Sequence, residues 1–138
     1  APPATPEVDE AARRFVAKTN AEAPVVMYAL EWCEFCWSVR NLFAKAGIEY
    51  RAVDLDSTHY QQDDLGGRIR GVLLDQTGQP TIPQIFVGGQ HVGGCTETFD
   101  AFRDGSLQTE LETLRVDFDR NIQLDPYDLL PGWLHARG

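Results

Sequence analysis

The fold of this chain is decided by the stretch Val25-Val26-Met27-Tyr28-Ala29-Leu30-Glu31-Trp32-Cys33-Glu34-Phe35-Cys36, an apolar run followed closely by two cysteines. Its first half is continuous and β-prone, which is typical of a strand buried on both faces. From Phe35 onward the apolar residues recur at helical spacing, and Gly47 stands where that helix would end. The sequence therefore predicts a central strand that leads directly into a helix with both cysteines at its start.

The paired cysteines point to redox chemistry. A thiol at the N-terminus of a helix faces the positive end of the helix dipole, so Cys33 is expected to be stabilised as a nucleophilic thiolate. The same spacing supplies half of a structural zinc site, which needs two further ligands. For these the sequence offers only Cys95, His59, His91 and His135, none paired at ligand spacing. We therefore favour a thiol redox site and predict no metal site.

Composition and charge exclude several other classes of protein. The 138 residues fit one domain that is large enough to bury a core. No segment approaches the roughly eighteen continuous apolar residues of a membrane span. A net charge of -9 argues against a nucleic-acid partner, because phosphates are bound by lysine and arginine. Few cysteines and no visible signal peptide favour a reducing compartment, and the cytoplasm is the expected location.

Two further helices and a second strand are predicted around this centre. Pro6 to Asn20 has a helical period, with Thr5 as the expected N-cap. Ile48 to Leu55 is interpreted as a strand, and a strand-helix-strand unit of this length favours a parallel pair with a right-handed crossover. Leu65 to Leu73 carries another helical stripe, weakened by its glycines.

The second half of the chain predicts a hairpin and two short helices. Residues 84–92 form two β-prone runs around Gly88-Gly89, a pair suited to a two-residue turn. Thr96 is expected to cap one helix, and Ser106 to cap another that carries its apolar face as far as Phe118. The predicted element order is αβαβαββαα.

Residues 117–138 break this rhythm with two prolines but keep too many large apolar side chains for a disordered tail. These side chains are Tyr127, Leu129, Leu130, Trp133 and Leu134. We expect the segment to dock on its own domain, with contact to a partner as the alternative.

Two other segments are candidates for a site beside the thiols. In Thr81-Ile82-Pro83, a cis proline would turn the backbone of Ile82 outward, where it can pair with an extended thiol substrate as a β-strand would. A trans proline that opens an edge strand is the alternative. The second segment, Gly93 to Glu97, is a glycine pair before a helix start, whose N–H groups can hold a carboxylate.

In this order and spacing, these segments resemble the glutaredoxin family of the thioredoxin fold. The residues that carry the resemblance lie within Val25 to Phe102: Tyr28, Trp32, Cys33, Phe35, Cys36, Thr77 to Gln79, Thr81 to Val87, and His91 to Thr96. The resemblance implies an α/β, thioredoxin-like fold, a four-stranded mixed sheet flanked by helices, with a C-terminal extension. The glutaredoxin domain would cover residues 1–116 and the extension residues 117–138.

The resemblance also implies a function. Family members are glutathione-dependent thiol-disulfide oxidoreductases, which here implies Cys33 as the nucleophile and Cys36 as the resolving thiol. Glutathione would be the cosubstrate, and proteins with disulfides or glutathione mixed disulfides would be the partners. A monomer is expected for this activity.

The implied glutathione contacts are Trp32, Phe35, Arg70, Thr81, Ile82, Pro83, Gly94, Cys95, Thr96 and Glu97. The resemblance assigns the cysteinyl part of glutathione to the backbone of Ile82 and the glycyl carboxylate to Arg70. It assigns the γ-glutamyl end to Thr96 and Glu97, and a cis peptide bond to Pro83.

Several positions depart from the family pattern. Leu30 stands where family members commonly have a lysine that supports the thiolate. Glu31 and Glu34 flank the nucleophile, and like charge disfavours a thiolate and repels an anionic tripeptide. Glu97 stands where aspartate is usual. We therefore expect weaker glutathione binding than is common in the family.

Two alternative functions remain from the sequence. Some glutaredoxins bridge two protomers through a [2Fe-2S] cluster held by the first cysteine and glutathione, and a tryptophan at the position of Trp32 occurs in some of them. The second alternative is a redox-silent recognition domain, which Leu30 and the acidic site favour but the intact cysteine pair opposes. Cys95 is expected to be a small buried cysteine rather than a modified one.

Overall fold

The computed structural model of the protein describes residues 6–131, with side chains from residue 10. The helices are α1 (Pro6–Glu22), α2 (Glu34–Ala46), α3 (Leu65–Thr77), α4 (Cys95–Asp104) and α5 (Ser106–Thr113). The strands are β1 (Val25–Ala29), β2 (Arg51–Asp54), β3 (Gln84–Val87) and β4 (Gln90–Gly93), and short 3-10 turns cover Thr58–Tyr60, Gln62–Asp64 and Pro126–Leu129. The predicted order is confirmed. The expected cap Thr5 and the side chains of Trp133 and Leu134 lie outside the described residues.

The strands form a four-stranded mixed sheet in the order β2-β1-β3-β4. β1 runs parallel to β2, with Tyr28 opposite Val53, and antiparallel to β3, with Tyr28 opposite Gln84. β3 and β4 form the predicted hairpin, and Gly88 and Gly89 in its turn both have positive φ. The expected fold class, a thioredoxin-like mixed sheet flanked by helices, is therefore confirmed.

The sheet separates two apolar cores. α2, α4 and α5 cover one face, where Met27, Phe43 and Phe99 are fully buried. α1 and α3 cover the other face, where Tyr28 and Ile69 are fully buried. Consecutive residues of a strand point to opposite faces, so β1 contributes to both cores and its sequence is continuously apolar. None of the helices within residues 6–131 is long and apolar enough to cross a membrane.

β2 is shorter than predicted. It starts at Arg51 rather than at Ile48, because the backbone N–H of Ile48 donates to the carbonyl of Phe43 at 2.9 Å and closes the end of α2. Gly47, at the C-cap, takes the left-handed conformation that this closure requires. Ile48 remains buried, so its apolar character reflects core packing and not strand pairing.

The two predicted caps in the second half are each displaced toward a glycine. α4 is capped by Gly94, which is extended, so Thr96 lies inside the first turn. α5 follows a left-handed glycine, and Ser106 is its first residue. That helix ends at Thr113, which leaves Phe118 in the following segment rather than on the helix.

The segment after α5 packs against the face of the domain that α2 and α4 cover. The backbone N–H of Asp119 donates to the carbonyl of Ala46 at 2.7 Å, and Phe118 is buried in the same core. Farther along, the ring of Tyr127 meets the ring of Phe99 edge to face at 5.6 Å. Its hydroxyl donates to the carboxylate of Asp100. The domain boundary at residue 116 stays a prediction, because these contacts join both sides of it.

The burial of Phe118 predicts a measurable contribution to stability. We expect Phe118→Ala to lower the free energy of unfolding by about 3 kcal/mol, because it removes a ring from a packed core. Urea unfolding followed by circular dichroism measures this change, with Asp117→Ala, an exposed neighbour, as the control. A loss below about 0.5 kcal/mol would show that the segment contributes little to the stability of the domain.

Candidate active site

Cys33 lies where the chain leaves the sheet and enters α2. Its backbone is extended, at φ -138° and ψ 116°, which makes it the N-cap of the helix. Its sulfur accepts a hydrogen bond from the backbone N–H of Cys36 at 3.3 Å, and its carbonyl accepts one from the N–H of Trp37 at 3.0 Å. A half-buried sulfur at the positive end of a helix dipole is placed to react as a thiolate.

The other two thiols are buried, and all three are free. Burial, followed by the hydrogen bond with Cys33, raises the pKa of Cys36 from its ordinary value of 9.0 to about 12. Burial also raises the pKa of Cys95 from 9.0 to about 12, with smaller contributions from the negative charges of Cys33 and Glu97. Cys95 is 6% exposed, which confirms the expectation that it is a small buried cysteine.

The loop before β3 passes beside the nucleophile. The carbonyl oxygen of Ile82 lies 3.9 Å from the sulfur of Cys33. The Ile82–Pro83 peptide bond is cis, as the resemblance implies, and Pro83 is buried while Thr81 is exposed. The loop thus presents the backbone of Ile82 directly to the reacting sulfur.

This loop is held by Gln84, a residue to which the sequence assigns no role. Its side chain is fully buried, and its amide nitrogen donates to the carbonyls of Gln79 at 2.7 Å and Thr81 at 3.2 Å. Its amide oxygen accepts from the hydroxyl of Thr77 at 3.3 Å. A polar residue at the start of β3, directly before its apolar run, was the available signal, since a buried amide requires hydrogen-bond partners. Gln84 therefore positions the loop against the end of α3.

The N-terminus of α4 adjoins the same loop. Gly94 approaches it so closely that a side-chain carbon there would lie 3.3 Å from the carbonyl oxygen of Pro83. The carboxylate of Glu97 accepts from the N–H of Gly94 at 2.9 Å and from the hydroxyl of Thr96. These hydrogen bonds, with that to Thr96 the larger cause, lower the pKa of Glu97. The ionised carboxylate of Glu97 therefore already accepts hydrogen bonds at the start of α4, where the sequence analysis expects a ligand carboxylate.

The remaining expected contacts lie around this centre at different depths. Arg70 is exposed on α3, and its guanidinium donates to the carbonyl of Pro80 at 3.5 Å, beside the loop. Phe35 is half-buried and packs against the core on the α2 side of the sheet. Trp32 is 88% exposed. The structure thus brings the loop, α4 and Arg70 to one side of Cys33 and leaves Trp32 in solvent.

Comparison with known proteins identifies the family. A family model described as Glutaredoxin matches residues 25–92. The chain is 38% identical over 106 residues to monothiol glutaredoxin-S10 of Oryza sativa subsp. japonica, covering 77% of this chain and 62% of that relative. It is 40% identical over 96 residues to glutaredoxin-C5, chloroplastic, of Arabidopsis thaliana, covering 70% of this chain and 53% of that one. The chain thus spans between about half and two thirds of the length of these relatives.

Solved structures agree with the sequence comparison. A crystal structure of a buckwheat glutaredoxin-glutathione complex matches with a TM-score of 0.72 and 34% identity, over 80% of this chain and 96% of that one. The chain belongs to the glutaredoxin family. The spacing of Cys33 and Cys36 fits a dithiol site, whereas the rice relative is named a monothiol glutaredoxin. The cytoplasmic location stays a prediction, since the Arabidopsis relative is named chloroplastic.

The different environments of the thiols predict selective alkylation. Iodoacetamide at about pH 8 should modify the native protein at Cys33, because burial and a pKa of about 12 keep Cys36 and Cys95 protonated. Modification of the two buried thiols should rise as the pH approaches 12. Mass spectrometry of proteolytic peptides locates the adducts, and urea-unfolded protein, in which all three react, is the control. Alkylation of Cys36 or Cys95 at the rate of Cys33 in the native protein would contradict the assignment.

Proposed function

We propose that the protein is a glutathione-dependent thiol-disulfide oxidoreductase that reduces disulfides or glutathione mixed disulfides of proteins. The observation that carries the proposal is the geometry of Cys33, a half-buried sulfur that caps α2 and accepts the N–H of Cys36. Family and fold support thiol oxidoreductase chemistry. The glutathione bound to the buckwheat relative supports glutathione as the cosubstrate.

In the proposed reaction, the Cys33 thiolate attacks the glutathione sulfur of a mixed disulfide. A new disulfide joins Cys33 to glutathione, and the substrate sulfur leaves as a thiolate that takes a proton from water. A second glutathione thiolate then attacks the sulfur of the bound glutathione, which releases oxidised glutathione and restores the Cys33 thiolate. The N-terminus of α2 stabilises that thiolate both as the attacking and as the leaving group.

Cys36 offers a second route, in which its thiolate attacks the Cys33 sulfur of the mixed disulfide, closes the Cys33–Cys36 disulfide and releases the glutathione or substrate sulfur as a thiolate. Two further glutathione molecules then reduce the Cys33–Cys36 disulfide and leave as oxidised glutathione. Burial keeps Cys36 protonated in the resting protein, so it must lose a proton before it attacks. We infer that a second glutathione completes the turnover of glutathione mixed disulfides. Cys36 is then needed for substrates whose disulfide contains no glutathione.

Glutathione is assigned to the side of Cys33 where the loop and α4 meet. A glutathione joined to Cys33 would lie beside the backbone of Ile82, whose carbonyl is 3.9 Å from that sulfur. The first-turn N–H groups of α4 suit the γ-glutamyl carboxylate, and the carboxylate of Glu97 suits its amine. Arg70, beside the loop, suits the glycyl carboxylate. Trp32, Phe35, Gly94 and Cys95 complete the proposed surroundings.

Three serine variants test this assignment. Cys33→Ser should reduce a glutathione mixed disulfide no faster than the uncatalysed reaction, because the variant lacks the attacking sulfur. Cys36→Ser should retain most of the activity in a glutathione-coupled assay, and Cys95→Ser, which alters a proposed glutathione contact, should change KM but keep turnover. Full activity of Cys33→Ser would overturn the proposed function.

A second candidate function is the bridging of a [2Fe-2S] cluster between two protomers. The observation that favours it is accessibility, because Cys33 is half-buried and follows Trp32, which is 88% exposed. The described residues contain no group of three or more side chains placed to hold a metal ion. A cluster would therefore need Cys33 from each of two protomers, with glutathione thiols as the remaining ligands.

Purification without oxygen, in the presence of glutathione, separates the two functions. For the oxidoreductase alone we expect a colourless monomer, because no cluster then joins two protomers through Cys33. A brown dimer with visible absorption, lost in Cys33→Ser but kept in Cys95→Ser, would support cluster binding. The visible spectrum and the elution volume on size exclusion give both readouts from one preparation.

A further inference from the structure

The most exposed large apolar side chains of the described residues flank the nucleophile. Trp32 is 88% exposed and Trp37 is 53% exposed. Trp32 directly precedes Cys33. Trp37 lies one helical turn after Cys33, and its backbone N–H donates to the Cys33 carbonyl. A tryptophan buries about 150–250 Å² when it is covered, so two of them in solvent mark a surface that a partner can cover.

The second of these rings is tied to the chain before the nucleophile. The indole N–H of Trp37 donates to the carbonyl of Glu31 at 3.3 Å. The backbone N–H of Glu31 in turn donates to the carboxylate of Asp56 at 2.8 Å. A ring that is positioned before binding loses less conformational entropy when a partner covers it. An exposed ring held in this way favours a role of Trp37 in recognition over a role in core packing.

Three carboxylates belong to the segment that carries the two rings or bond to it, since Glu31 and Glu34 lie within it and Asp56 accepts from its backbone. Glu31, Glu34 and Asp56 are all exposed. Of the two cations on α2, Arg40 is paired with Asp54 of β2 and Lys45 lies in the last turn, far from the nucleophile. Arg70 lies on the other side of the nucleophile, beside the loop before β3. The tryptophan side of Cys33 is therefore acidic, within a chain whose net charge is -9.

We propose that Trp32, Trp37, Glu31 and Glu34 form a docking surface for a cationic segment of the protein substrate, the segment that carries the disulfide-bonded cysteine. Lysine and arginine bind over tryptophan rings by cation–π attraction, and carboxylates beside the rings add ion pairs. The same carboxylates repel an acidic segment. This inference deepens the proposed oxidoreductase function and rests on it.

A second copy of the chain fits this surface less well than a cationic segment does. A symmetric dimer through it would place the same carboxylates of both copies against each other. Like charges brought together at an interface are costly, because each loses water without gaining a partner. Charge complementarity thus selects a basic polypeptide as the occupant.

The test compares three peptides of equal length, each with one cysteine held as a mixed disulfide with glutathione. The residues around that cysteine are lysine and arginine in one peptide, glutamate in the second, and serine in the third. We expect kcat/KM for the cationic peptide to exceed that for the acidic peptide by about tenfold at low ionic strength. The ratio should approach one in about 1 M salt, where the screening length is about 3 Å.

Two double variants locate the preference. Glu31→Gln with Glu34→Gln should bring the cationic-to-acidic ratio close to one. The matched control is Glu49→Gln with Glu110→Gln, which neutralises two exposed carboxylates at the opposite end of the sheet and should keep the wild-type ratio. Trp37→Ala should lower kcat/KM for the cationic peptide about threefold, through loss of the cation–π contact.

The outcomes separate this inference from the proposed function. Suppose that wild-type protein at low salt reduces the peptide with serines around its cysteine, but that kcat/KM is equal for the cationic and the acidic peptides. This result would overturn the docking surface and leave the oxidoreductase function standing. A preference retained in Glu31→Gln with Glu34→Gln would also overturn it. If no peptide is reduced, the proposed function fails. The docking surface is then tested by tryptophan fluorescence, which measures the binding of a cationic peptide that has serine in place of its cysteine. No fluorescence change at low salt would then overturn it.

Discussion

The candidate site depends on one constraint, that the chain passes from a buried strand to a helix within a few residues. β1 ends at Ala29 and α2 begins at Glu34, so Cys33 must cap the helix with an extended backbone. That conformation aims its sulfur at the N–H of Cys36. Burial of β1 on both faces fixes the position of the strand, and the two cores thereby determine where the Cys33 sulfur lies.

The elements could be predicted from the sequence because their signals are local. The apolar run of β1, the spacing along α2 and the Gly88-Gly89 turn each determine their own backbone. The displaced ends have a tertiary origin, as at Ile48, whose N–H closes α2 instead of joining a strand. Likewise the role of Gln84 depends on carbonyls that only the folded loop brings within reach. Periodicity cannot report such contacts.

Glu97, whose side chain is one methylene group longer than the aspartate usual at this position, affects both the stability of α4 and the recognition of a ligand. A glutamate at the third position of a helix is long enough to reach back to the N–H of the cap, here that of Gly94. The carboxylate of the γ-glutamyl end seeks N–H groups at the same helix terminus. In the proposed function, glutathione would therefore bind beside a carboxylate that already accepts hydrogen bonds at this terminus. The charge of that side chain attracts the amine of the ligand but repels its carboxylate.

The acidic residues around Cys33 divide its two sides by charge. On the side of the loop, Arg70 would face an anionic tripeptide in the proposed function, whereas on the side of Trp37 Glu31 and Glu34 are exposed. A lysine at the position of Leu30 would favour glutathione but would neutralise part of the acidic side. The apolar Leu30, half-buried against the core beneath α1 and α3, keeps that side acidic. In the proposed function, the departures that would weaken the attraction for glutathione are therefore the same ones that would give the nucleophile a preference for basic protein substrates.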